Sequence, residues 1–164
     1  MRTHRDRGAR ARGVAFVASL AAAAVFASAG GVLADEEKHD LPPGPIHDRH
    51  ELMEEVGANA KKIGAAAKAG KPTDAQVPAE EIAQALAKFV GMFPAGSESP
   101  LSRAKPNVWT DKAKFDELAK KNEQAAMALA AVAKAGGDLK APSGAMFQTC
   151  KTCHDEFRVP KEGE

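Results

Sequence analysis

The 164-residue chain has no tyrosine, one tryptophan and two cysteines, and aromatic residues make up only 5% of it. Few aromatics beside abundant Ala, Lys and Glu favour helices over sheet. A single cysteine pair cannot staple a disulfide-rich fold. With no second Cys or His pair at ligand spacing downstream, zinc is a poor reading as well. A basic excess is also missing once the N-terminus is set aside. Residues 1–34 hold five arginines (Arg2, Arg5, Arg7, Arg10, Arg12) and one acid, Asp6, and removing them changes the formal charge from +1 to −3, with 18 basic against 21 acidic residues. Nucleic acid, which is bound by basic faces that neutralise phosphates, is therefore not an expected partner.

Those arginines precede an apolar run from Gly13 to about Ala29. A basic start, a short apolar segment and small residues at a cleavage point mark a secretory signal over residues 1–34. Val32-Leu33-Ala34 before Asp35 fits cleavage best, with Ala27-Ser28-Ala29 as the second choice. An uncleaved anchor is the competing reading, but the run is short and alanine-rich for a bilayer span. The expectation is an exported, periplasmic protein with no membrane association after cleavage. Its 130 remaining residues amount to about one domain.

Both cysteines lie in Cys150-Lys151-Thr152-Cys153-His154. A disulfide across two residues occurs in thioredoxin-like sites, but those open a helix in a βαβ unit, and no convincing strand is present here. The histidine directly after the second cysteine selects covalent c-type haem attachment. On a helix, Cys150 and Cys153 face one side, where each thiol can add to a haem vinyl group. His154 projects from the same face, and neutral imidazole is a standard axial ligand of iron.

Residues 35–45 read as a flexible leader, acidic from Asp35 to Asp40 with His39 among the acids, then stiffened by Leu41-Pro42-Pro43-Gly44-Pro45. From Ile46, the positions Ile46, His50, Met53, Val56/Gly57, Ala60, Ile63 and Ala67 repeat at helical spacing, and Gly70 and Pro72 end the helix. A second helix is expected from Pro78, burying Ile82, Leu86, Phe89, Val90 and Phe93, until Pro94 stops it. Residues 94–107 form one long connection, either functional or a simple crossover. A third helix from about Val108 to Ala135 places Trp109, Phe115, Leu118, Asn122, Ala125, Leu129 and Val132 inward, with Met92 and Met127 at core-like positions on the second and third helices. The fourth begins near Pro142 or Ser143, carries Met146, Phe147 and the cysteine motif, and stops before Pro160. Together they predict an all-α, antiparallel four-helix bundle over residues 46–164.

With these features in place, the chain resembles the cytochrome c′ family, the class II c-type cytochromes, whose haem motif lies near the C-terminus of a four-helix bundle. The resemblance spans residues 46–158. It rests on Arg49-His50-Glu51-Leu52-Met53, Lys71-Pro72, Lys105-Pro106-Asn107-Val108-Trp109, Ala113-Lys114-Phe115, and Cys150 to His154 with Phe157-Arg158. It implies one haem c held by Cys150 and Cys153, His154 as proximal iron ligand, Met53 facing the iron from the other side, and Arg49 near the haem propionates. A guanidinium fork suits such carboxylates, though a solvated charge beside Glu51 is the plain alternative. Arg158 is read either as modulating the proximal side or as a surface charge. Trp109 packs on the haem edge or anchors the core, and Met146 packs against the haem edge. His47 and His50 are expected to be exposed, as fallback sixth ligands.

Met53 separates the functions. As a ligand it makes the iron six-coordinate and low-spin, suited to electron transfer with redox partner proteins, and the segment from Leu52 to Ala65 looks closer to that low-spin branch. As a mere filler it leaves a five-coordinate iron that binds small gases such as NO or CO. No distal His, Arg and acid constellation supports a peroxidase-like enzyme. The resemblance also implies a homodimer through the first two helices, near the alanines of Ala65–Ala69.

Overall fold

The computed structural model describes residues 41–160. The expected signal peptide, the acidic stretch of the expected leader with His39, and the last four residues lie outside the described residues. Five α-helices follow in order: α1 Pro45–Ala69, α2 Gln76–Phe89, α3 Asn107–Thr110, α4 Lys112–Lys134 and α5 Lys140–Phe157. Single 3-10 turns occupy Pro72–Ala75 and Val90–Met92. Among the described residues the extended pairing is one isolated antiparallel bridge, Ala104 with Arg158.

Helix α1 opens on Pro45, whose missing N–H is no loss in a first turn. It closes at Gly70, held at φ 65°, while the N–H of Lys71 bonds back to Ala66 O at 3.0 Å. Its buried positions are Arg49, Asn59, Ile63 and Ala66, flanked by half-buried Met53, Val56 and Ala60. Gly57 and Ala67, expected inside, are exposed. The stripe advances by three residues from Val56 to Asn59 and again from Ile63 to Ala66, and a 3.6-residue helix turns the next position outward.

Helix α2 starts at Gln76, two residues before the expected Pro78, because the turn after Lys71 runs directly into it. Pro78 sits in the first turn, where N–H groups lack intrahelical acceptors anyway. The expected third helix is broken at Asp111 (φ −122°, ψ 51°) into α3 and α4. Hydrogen bonding continues across the break, from Asp111 N–H to Asn107 O at 2.9 Å and from Phe115 N–H to Asp111 O at 3.1 Å. Met127, expected in the core, is 57% exposed, since Ala126, Leu129, Ala130 and Ala133 define the inner face of α4. Helix α5 begins at Lys140, ahead of Pro142, with Leu139 buried before it.

Packing runs α1 on α2, α2 on α4 and α4 on α5, with little contact between α1 and α5. The core holds Ile63, Ile82, Leu129 and Met146 among buried alanines, whose small side chains let the helices approach closely. A second, aromatic cluster joins Phe93, Val108, Phe115 and Phe157. Phe93 follows α2, Phe115 lies near the start of α4 and Phe157 ends α5. The cluster therefore marks one end of an antiparallel bundle, the end where α1 begins.

Candidate haem site

Helix α5 is amphipathic, and its last two turns carry the cysteine motif at the aromatic end. Cys150 and Cys153 are half-buried free thiols on one side of the helix, and His154 beside them is half-buried too. Cys153 packs against the aromatic cluster. Cys150 meets Asn122, a buried residue of α4, whose amide oxygen and nitrogen both lie 3.3 Å from its Sγ. Thr149 Oγ1 donates to the same Asn122 oxygen at 2.8 Å. Buried amides require partners, and this one uses them to fix the first thiol. Burial pushes both thiols above their ordinary pKa, Cys153 to about 11. Reactive redox cysteines need the opposite shift, so this pair is not poised as a thiolate couple.

The opposite wall comes from α1. Arg49 is buried: Nη2 donates to Ser97 O at 3.0 Å, Nη1 to Ser97 Oγ at 3.3 Å, and the guanidinium lies over the Phe93 ring. Desolvation pulls its pKa below the ordinary arginine value, while Glu98 works the other way. The plain alternative of a solvated surface charge is thereby overturned. Met53, one turn on, is half-buried and packs on the main core. Trp109 is half-buried in the aromatic cluster, its Nε1 donating to Pro94 O at 3.0 Å. Met146 is fully enclosed in the main core. His47 and His50 keep side-chain exposures of 39% and 32%, beside carboxylates of their own helix.

The long connection is a strap rather than a plain crossover. Lys105 N–H donates to Phe157 O at 2.9 Å and Val159 N–H to Arg103 O at 2.8 Å. Lys105 Nζ reaches Asp155 O at 2.8 Å and Asn107 Nδ2 reaches Glu156 O at 3.1 Å. The carbonyls of Asp155, Glu156 and Phe157 belong to the last turn of α5, which a helix leaves without internal partners, and a lysine suits that negative pole. Arg158, read from sequence as proximal or superficial, takes part through its backbone in the bridge to Ala104. The sequence reading missed this clamp and the Asn122–Thr149 pair; an Asn on an apolar stripe was the one available signal for the latter.

Spacing, burial and donor chemistry fit a covalently held haem. Two free thiols share a face with an adjacent imidazole, and contact between α1 and α5 is limited. Arg49 Nε is buried without a hydrogen-bond partner, a spare donor suited to an anionic group. A separate groove of about 690 Å³, lined by Gly64, Lys68, Leu139, Lys140 and Phe147, lies between the end of α1 and the start of α5, and none of the site residues lines it.

The family model described as cytochrome C′ matches residues 44–158. A cytochrome c′ of Rhodopseudomonas palustris is 36% identical over 121 residues, 71% of this chain and 82% of the relative. Cytochrome c-556 of the same organism is 30% identical over 155 residues, 88% of this chain and 97% of the relative. The solved cytochrome c′ of Rhodopseudomonas palustris superposes with a TM-score of 0.65 at 34% identity, covering 73% of this chain and 99% of that one. The chain thus belongs to the cytochrome c′ family, four-helix bundles that bind haem c covalently.

Proposed function

We propose that the mature chain is an exported, periplasmic electron carrier. In this reading Cys150 and Cys153 would hold one haem c through two thioethers, His154 and Met53 would ligate its iron, and Arg49 would neutralise the propionates. The observation that carries it is the fate of the methionines. Met127 is exposed, Met146 is wholly enclosed in the core, and Met92 packs on the aromatic cluster. Met53 alone of the described methionines stands half-buried on α1, one turn from Arg49.

The bound group supplies a one-electron couple at its iron, whose potential depends on axial ligands and burial. The protein's part is positional. Asn122 orients Cys150 and retains Nδ2 as a donor once the sulfur has lost its proton. The strap holds the last turn of α5 and so limits rotation of His154. Phe93, Phe115 and Phe157 keep water from that end of the bundle.

A five-coordinate, gas-binding protein is the second reading, favoured by the packing of Met53 against the core, which suits a filler as well as a ligand. Visible absorption of the purified holoprotein, oxidised and reduced and then exposed to CO, separates the two. Low-spin spectra with slow or partial CO uptake support the electron carrier. A high-spin ferrous form that takes up CO at once supports the gas binder.

A further inference from the structure

We propose that His47, His50, Glu51 and Glu54 form a binding site for one borderline divalent transition-metal ion, of the zinc type, on the solvent face of α1. The four residues fall at i, i+3, i+4 and i+7, which a helix brings to one side. Two His–Glu pairs lie next to each other there. His47 Nε2 is 3.9 Å from Glu51 Oε1 and His50 Nδ1 is 3.8 Å from Glu54 Oε1. Ligand atoms of His50, Glu51 and Glu54 all lie within 4.8 Å of one another, and His47 adjoins this trio through Glu51.

Ligand atoms around a tetrahedral zinc stand roughly 3.3 Å apart, given bond lengths near 2.0–2.2 Å. His50, Glu51 and Glu54 need to move inward by about an ångström to reach that spacing, and His47 must swing over Glu51 to join them. Exposures of 39%, 32%, 59% and 60% for His47, His50, Glu51 and Glu54 leave them room to do so. The donor set names the class of ion. Two imidazoles with two carboxylates favour zinc, copper or nickel, whereas calcium and magnesium prefer an all-oxygen shell. A supporting contact is already built, since Asp48 Oδ1 lies 3.5 Å from His47 Nδ1. A carboxylate there fixes the ring tautomer that leaves Nε2 free to bind a metal. This site is separate from the iron ligands proposed above, and it stands or falls independently of whether Met53 binds iron.

The test uses the haem-loaded mature protein and zinc ion itself. Calorimetric titration should show one zinc per chain, with an unchanged haem absorption spectrum and a raised melting temperature, because binding to the folded state alone stabilises it. The double variant His47→Ala/His50→Ala should lose at least about tenfold in affinity, and Asp48→Asn should weaken binding by about tenfold as an outer-shell change. His39→Ala in the leader should bind as the wild type does. Equal affinity in the double variant and the wild type would overturn the proposal, as would magnesium binding as tightly as zinc. A haem spectrum that shifts in step with the titration would place the metal at the iron's ligands instead and overturn it equally. Circular dichroism of each variant confirms that the helix is retained.

Discussion

The guanidinium carbon of Arg49 lies 4.5 Å from the centre of the Phe93 ring and 5.8 Å from that of Trp109. A cation held on two aromatic faces, with both terminal nitrogens bonded to Ser97, ties the first turns of α1 to the start of the strap.

Removing that side chain should loosen the whole end of the bundle. Arg49→Ala deletes two charge-assisted hydrogen bonds and uncovers the rings, a loss of about 2 kcal/mol in denaturant unfolding of the holoprotein. Arg49→Lys should recover only part of it, because an ammonium cannot present a planar fork. The stability difference should stay flat across neutral pH. Burial lowers the arginine's pKa, but the group remains charged in both folded and unfolded chains there. A dependence appears only as pH climbs into the strongly alkaline range, where the folded chain gives up the proton first.

Replacing either Cys150 or Cys153 by Ala should leave haem attachment incomplete. Acidified acetone should extract part of the haem from either variant and none from the wild type, and a wild type that surrenders its haem would refute covalent attachment through these residues.

Met53→Ala should convert a low-spin spectrum to a high-spin one and admit CO readily. Because Met53 is only half-buried, the accompanying stability loss should sit at or below about 2 kcal/mol, the low end for an enclosed methionine. A wild type already high-spin, with only the stability loss on mutation, assigns the residue to packing.

Gly70→Ala should destabilise the protein by about 1 kcal/mol without touching the spectrum, since φ 65° penalises a Cβ while open space surrounds the position. Thermal unfolding followed at 222 nm measures the first effect and visible absorption the second.

What could be read in the sequence was what depends on local spacing. Cys150, Cys153 and His154 share a face because helix geometry requires it, and Gly70 ends α1 because few other residues take its backbone angles. The break at Asp111 left no trace in the apolar pattern, as the hydrogen bonds at Asn107 and Phe115 run on across it. Met127 was misplaced because α4 is so rich in alanine that both of its faces look buriable. The clamp of Arg103, Lys105 and Asn107 on the end of α5 joins segments about fifty positions apart, and no short-range periodicity records such a pairing.

That separation bears on the order in which the molecule assembles. Helices joined by short links, α1 with α2 and α4 with α5, find each other through near-neighbour contacts, which form quickly. The pairing of Arg103 with Val159, 56 positions away, must first restrict a long stretch of chain and gains its bonds only afterwards. Closing the end of the bundle that holds Cys150 and Cys153 therefore carries a larger loop-closure cost than pairing the sequence-adjacent helices does.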